Sequence, residues 1–379
     1  MSYDVIVLGL GAMGSAAAQQ LAARGKNVLG IEQFTPPHDK GSSHGGSRMI
    51  RQAYWESAAY VPLILRSYEL WERLERDAGK RLLTITGGLI LGPAESQMVA
   101  SGIAAARQHG IAYTVLVPGE IRDRFPAITP LENDVAVFEE RAGYLLPEEC
   151  IRAQLKMAAG SGAELHFEEK VLGWNADARR AEVTTSRAVY EAERLVVTAG
   201  PWANVMLEGL VPLKVTRQVM AWIEPQGGIE PFLARHFPVF LCESPEDGRP
   251  GYGFPAIDGA GGGVKAAIHG SDVECTPETV DRVIHELDGA EVIRKLKPRF
   301  PALDGEIVKA KTCLYTMTPD EHFVIGLHPE LPWVSVACGF SGHGFKFAPV
   351  VGEILADLAT NGATHHPIDL FSPMRFEGP

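Results

Sequence analysis

Three glycines, one acid and a scattered set of cations carry the chemistry that this sequence offers. Gly9, Gly11 and Gly14 form a G-x-G-x-x-G run, and Glu32 closes the next apolar segment. Glycines at this spacing permit a tight turn and close backbone approach to a pyrophosphate. A helix starting there presents unpaired N–H groups, and the acid can accept from ribose hydroxyls. The segment 41–51, Gly-Ser-Ser-His-Gly-Gly-Ser-Arg-Met-Ile-Arg, is rich in N–H and hydroxyl donors and ends in two arginines three apart. Alone, it reads as a solvated loop with two surface cations; if Ser47 caps a helical turn, Arg48 and Arg51 share a face. Lys265 and His269 fall on one face of an alternating strand over 263–269, where a lysine must reach water or serve a site. Cys313 on a strand reads as a small core residue. Residues 339–347 form a second glycine-rich strand-to-helix junction, whose helix dipole could face a developing anion. Two such junctions in one chain favour FAD over NAD, because FAD has a pyrophosphate for the first and an isoalloxazine ring for the second.

The elements that must position these groups follow from periodicity. The order strand 3–8, helix 15–24 and strand 27–31 is a dinucleotide-binding unit. Pro62 opens a helix with a Leu63, Ser67, Leu70, Trp71 and Leu74 stripe that stops at Gly79. Short strands at 82–86, 89–91, 113–117 and 135–138 surround a helix at 94–108, an excursion into a second domain. A helix at 148–159 and strands at 163–170, 181–185 and 195–198 return to the first, followed by the small-residue turn 199–202. Strands at 211–224, 240–243, 251–254 and 263–269 re-enter the second, with a helix expected from Pro277 through Leu287 and its helical region extended over 293–296. Strands at 306–315 and 333–337 and a helix at 350–358, with Glu353 and Asp357 outward, go back to the first. The expected class is α/β. A Rossmann-type, doubly wound FAD-binding domain (1–81, 145–210 and 306–379) is interleaved with an antiparallel-sheet α+β substrate domain (82–144 and 211–305).

Composition narrows the function. A formal charge of −12 without a basic patch disfavours nucleic acid and acidic membranes as partners. There is no apolar run long enough to span a bilayer and no basic N-terminal leader, so no membrane association is expected. Five dispersed cysteines without C-x-x-C spacing argue against disulfides and zinc, and for a reducing cytoplasm. No metal is expected, since no His/Asp/Glu cluster shows ligand spacing, and the adjacent His365 and His366 read as tail.

An ordered set of motifs resembles the monomeric sarcosine oxidase and N-methyltryptophan oxidase family, related more distantly to fructosyl-amino-acid, pipecolate and glycine oxidases. The set comprises Pro36-Pro37-His38, His44-Gly45-x-Ser47-Arg48-x-Ile50-Arg51, Tyr54, Tyr60-Val61-Pro62-Leu63, Tyr252-Gly253-Phe254-Pro255, Lys265 with His269, Cys313-x-Tyr315-Thr316, Pro319-Asp320-Glu321-His322-Phe323 and Ser341-Gly342-His343-Gly344-Phe345-Lys346-Phe347. The resemblance spans nearly the whole chain. It implies a monomeric flavoenzyme that oxidises secondary amines of amino acids, sarcosine first, with hydride transfer to flavin N5, hydrolysis of the imine and reoxidation by O2 to hydrogen peroxide. It implies FAD bonded through its 8α carbon to Cys313, with contacts from Gly9, Gly11, Gly14, Glu32, Ser43, His44, Ser47, Arg48, Val171, Gly342, His343, Gly344 and Lys346. By the same resemblance Arg51 and Lys346 clamp the substrate carboxylate, Arg48 lies beside the flavin and Lys265 activates oxygen. His269 lies near the substrate, and Tyr252 and Tyr315 wall the amine pocket.

The chain departs from the family pattern at Ser47, where threonine is frequent, at Gly46, where aspartate is frequent, and in the turns before Tyr252 and Lys265. Serine keeps the hydroxyl, whereas the turns bear on the outer rim and so on substrate size. Three competing readings differ in observable ways. An FAD dehydrogenase would make no peroxide, a non-catalytic flavin protein would not turn over, and an NAD(P) enzyme would lack flavin absorbance.

Overall fold

The computed structural model describes residues 2–177 and 180–376. Strand β1 (Ser2–Leu8) is buried from Val5 to Leu8 because both of its faces are covered, so its sequence is a continuous apolar run. Helix α1 (Ala12–Ala23) follows, then strand β2 (Val28–Ile31), parallel to β1. The other neighbour of β1 is the Val189–Val197 strand, also parallel, and Val334–Cys338 extends this parallel core. Glu164–His166 pairs in parallel with β2. Alanines keep α1 thin where Ala16, Ala17 and Ala18 are buried, so the Ala348–Asn361 helix packs against it closely. A Cβ on Gly352 would stand 2.6 Å from the Ala16 backbone.

Strand β3 (Arg48–Ile50) pairs with Gly143–Leu145, which also pairs with Leu83–Ile85, in a small three-stranded sheet. Helix α2 (Val61–Ala78) has Pro62 in its first turn and Gly79 at φ 62° as its left-handed cap. All five residues of its expected stripe are buried. A nine-stranded sheet forms the other layer, running from Glu274–Cys275 through Lys214–Ile223, Val264–Ile268, Pro250–Gly253, Val239–Glu243, Gly88–Pro93 and Asp134–Glu139 to Thr114–Leu116. Its pairings are antiparallel except where Val239–Glu243 meets Gly88–Pro93. The chain is thus α/β, a parallel-cored nucleotide layer interleaved with a mainly antiparallel second sheet.

Several elements differ from expectation. The Ile307–Met317 strand lies against Lys214–Ile223 from Met317–Lys214 to Ile307–Ile223, which places it in the nine-stranded sheet rather than with the nucleotide layer. Residues 277–279 form a turn and 280–285 are irregular, and the helix runs over Glu286–Leu296. Here side chains take the backbone donors a helix would need: Thr276 and Thr279 accept from each other's N–H, and Asp281 accepts from Val283. Only Glu164–His166 of the stretch 163–170 is strand, Glu168 being left-handed at φ 55°. The Val171–Ala176 strand and the Pro118–Arg124 helix were not anticipated. Asp357 does not point outward: it is 9% exposed and pairs with Arg24 at 2.8 Å. Among the described residues no helix is long and apolar enough to cross a membrane.

Candidate functional site

The turn after β1 is shaped by its glycines. Gly9 has φ 82°, and a Cβ there would stand 2.6 Å from the Thr198 carbonyl. A Cβ on Gly14 would lie 1.8 Å from the Gly9 carbonyl, so any side chain would push α1 off β1. Gly11 faces open space, with Ser43 Oγ 3.9 Å from its would-be Cβ, and no side chain caps the first turn of α1. Glu32 is buried and held in place by N–H donation from Leu10 (2.9 Å) and Phe34 (3.1 Å). From this turn one cleft of about 2150 Å³, counting its open mouth, runs past Ser43, Val171 and the 199–202 turn to Cys313, Tyr315 and Gly342–Lys346.

Those features fit FAD. The cradle at Gly11 would be filled by a Cβ, the uncapped helix end faces the cleft, and the cleft continues from nucleotide turn to glycine junction. Just behind the wall, His44 is 2% exposed, neither ring nitrogen has a hydrogen-bond partner among the described residues, and burial pushes its pKa down to about 3. A neutral, unpartnered imidazole there is a donor or acceptor held in reserve for a bound group. At the far junction, a Cβ on Gly342 would sit 2.2 Å from the Tyr315 ring.

The 41–51 loop is neither solvated nor helical. Glu148 accepts from Gly45 N–H (2.7 Å) and Gly46 N–H (3.1 Å), so these two donors are not free for a ligand. Arg48, on β3, donates to the Ser47 and Ser42 carbonyls at 2.8 Å each, and its Nη2 lies 3.8 Å from Cys313 Sγ. Because β3 is extended, Arg48 and Arg51 do not share a helical face; each reaches the cleft separately. Lys265 is 2% exposed and does not reach water. Its Nζ donates to Gly45 O (2.8 Å), Ser47 O (2.8 Å) and Ser47 Oγ (3.2 Å), three acceptors for the three protons of an ammonium. Burial, then Arg48, depresses its pKa well below the lysine value. Gly14, His44, Ser47 and Lys265 therefore stand behind the wall, whereas the other expected site residues line the cleft.

At the end of the cleft beyond Arg48, Arg51 is buried and donates to Ala53 O (2.5 Å) and to both oxygens of Glu56 (2.7 and 2.6 Å). The guanidinium, set against burial, holds the Glu56 carboxyl well below its usual range. Glu139 accepts from Gln52 and Ala53 N–H and fixes the backbone beside Arg51. Lys346, 6% exposed, also lines this end. Tyr252, Tyr315 and His269 complete it, with the His269 and Tyr315 rings 5.3 Å apart. Burial pushes the His269 pKa down to about 4 and that of Tyr315 well above 10, so both are neutral near pH 7.

Sequence reasoning passed over Glu56, Glu139 and Glu148, because a lone acid in a loop, at a strand end or in a first helical turn has no distinguishing pattern. It also passed over the gathering of Asp357, His365 and His366, whose ligand atoms lie within 4.8 Å of one another. Chain spacing hides this because Thr364, donating to Asp357 at 2.8 Å, folds the tail back over the helix end. The carboxylates there are already engaged, Asp357 by Arg24 and the adjoining Glu353 by Arg66 and His366.

Residues 4–358 match the model of the FAD dependent oxidoreductase family. The chain is 49% identical to a monomeric sarcosine oxidase of Streptomyces avermitilis over 99% of this chain and 98% of that one. It is 36% identical to an N-methyl-L-tryptophan oxidase of Yersinia pestis, covering 99% of this chain and all of that one. Among solved structures, NikD, an unusual amino acid oxidase essential for nikkomycin biosynthesis, superposes with TM-score 0.85 at 26% identity over 98% of this chain and 97% of that one.

Proposed function

The chain belongs to the FAD dependent oxidoreductase family, and on that premise we propose that it oxidises the secondary amine of a small N-substituted amino acid, sarcosine first. The observation that carries this reading is the placement of two buried cations, Arg51 and Lys346, beside neutral Tyr252, Tyr315 and His269 in the cleft that also exposes Cys313 and the Gly342 junction. The cations suit a carboxylate, and the neutral groups suit an amine that must react unprotonated. Bound FAD would accept a hydride from the carbon attached to that amine and pass the electrons to O2, giving hydrogen peroxide.

This chain's own residues bind and orient. Gly9, Gly11, Gly14 and Glu32 hold the nucleotide, with Ser43, His44, Ser47 and Val171 around it. Cys313 is the covalent attachment point, and Arg48 Nη2 lies 3.8 Å from its sulfur. Arg51 and Lys346 take the carboxylate; a substrate entering here competes with Glu56 for Arg51. Lys265 places positive charge behind the 45–47 loop, where it favours oxygen reduction. The division into a nucleotide layer and a substrate layer, a monomeric state and a cytoplasmic location belong to the same reading.

The test is to mix the purified holoenzyme anaerobically with sarcosine, follow the flavin absorbance, then admit air and assay peroxide. Bleaching followed by recovery with peroxide is the expected result. Bleaching without peroxide would assign a dehydrogenase. A flavin that stays yellow with sarcosine but bleaches with N-methyltryptophan would assign the larger substrate; Trp55, Leu241 and Pro250 also line the cleft.

A further inference from the structure

The Pro319–Phe323 motif has no part in the reading above, yet it touches the carboxylate end of the cleft through one backbone atom. Glu321 is left-handed at φ 59°, its side chain exposed, and its carbonyl lies 3.1 Å from His343 Nε2. A carbonyl only accepts, so Nε2 carries the proton and Nδ1 is bare. Tyr54 Oη is 2.6 Å from that Nδ1, so the phenol must donate to it. Its oxygen then has lone pairs left, and Lys346 Nζ, 3.2 Å away, donates to it. A second Lys346 proton goes to His343 O at 2.6 Å. Two of three ammonium protons are fixed, and the third remains for the cleft.

The geometry points to Tyr54 as a positioning residue that keeps Lys346 an oriented cation for the substrate carboxylate, its hydroxyl polarised by a His343 tautomer that the Glu321 carbonyl dictates. This rests on the carboxylate reading of Lys346 given above. The turn that aims the carbonyl is held from outside: Thr318 Oγ1 donates to His322 O (2.7 Å), and Arg375 donates to His322 O (2.8 Å) and to Asp320 (2.8 Å). Trp71 of α2 donates to Lys346 O at 2.9 Å, which fixes the lysine backbone as well. Burial, then Arg51, lowers the Lys346 pKa to about 7, opposed by Glu56. The titratable groups around it are Arg51, Tyr54 and Glu56 after β3, His343 in its own loop and His269 at the end of the Val264–Ile268 strand. With so little margin for its charge, loss of the acceptor that Tyr54 supplies at 3.2 Å is enough to move the protonation state.

The experiment titrates holoenzyme with acetate, read by flavin absorbance, from pH 6 to 9. Wild-type Kd rises above a midpoint set by Lys346. Tyr54→Phe keeps the ring that packs 4.8 Å from Tyr60 but removes the acceptor. The midpoint is expected to fall by about one unit, which weakens acetate about tenfold at pH 9. Glu321→Val, which disfavours the left-handed turn, is expected to move the midpoint the same way, and Glu321→Gly to restore it. A Tyr54→Phe midpoint equal to wild type, with Lys346→Met defective in acetate binding, would overturn this inference alone. Acetate bound equally by wild type and Lys346→Met would overturn the carboxylate reading, and this inference with it.

Discussion

At the scale of single residues, the sulfur of Cys313 is the sharpest point of chemistry. It is 2% exposed, faces the cleft and lies beside Arg48. Acid-precipitated protein is therefore expected to stay yellow, and Cys313→Ser to release all its flavin to the supernatant; colour lost from wild type would remove the linkage. Arg51→Ala is expected to raise KM for the amino-acid substrate by about tenfold to a hundredfold, the worth of one or two charge-assisted hydrogen bonds. An unchanged KM places the carboxylate elsewhere. For Lys265→Met, stopped-flow measurement of the two half-reactions separates roles: reoxidation by O2 slowed much more than reduction by amine fits an electrostatic part, whereas equal slowing would show that it only braces the 45–47 loop through its three hydrogen bonds.

At the scale of elements, the crossing of β1 and α1 is governed by a contact that tolerates no carbon. Gly14→Ala puts a Cβ where 1.8 Å separates it from the Gly9 carbonyl, and the helix must shift to make room. Overpacking of this kind costs about 1–3 kcal/mol. The shift also moves the N–H groups that face the cleft, so the variant is expected to purify with much less flavin per chain, measured from the absorbance ratio. This unit was legible in the sequence because strand, turn, helix and acid are written within thirty-odd consecutive residues and each signal is local. The clamp was not legible in the same way. Whether Arg48 and Arg51 lie on a helix or a strand depends on pairing with Gly143–Leu145, far along the chain. The partners of Lys265 are 220 and 218 positions away. Family resemblance could assign these side chains to a site, but not show that Lys265 sits behind the wall or that Glu56 already holds Arg51. The helix expected from Pro277 failed for a local reason that periodicity ignores, namely threonine and aspartate side chains competing for backbone donors.

At the scale of the whole molecule, the buried histidines set how stability varies with pH. Burial holds His44 and His343 near a pKa of about 3 and His269 near about 4, against 6.5 for an exposed histidine. Between those values each is neutral in the folded chain and protonated in the unfolded one, so unfolding takes up protons and stability rises with pH. As pH falls below 6.5 that stability is lost, at pH 5 by about 2 kcal/mol per histidine as an upper bound. Lys346, with its pKa lowered to about 7, acts in the same direction between pH 7 and 10.5. The net charge of −12 opposes this by self-repulsion at high pH, a term that salt screens between exposed charges. The holoenzyme is therefore expected to melt several degrees lower at pH 5 than at pH 7.5 in 0.15 M salt, well before the carboxylates are neutralised. His343→Gln is expected to flatten that slope. A melting temperature constant from pH 7.5 to 5 would mean that these imidazoles gain protons in the folded state, and with them the neutral amine pocket on which the chemistry depends would be lost.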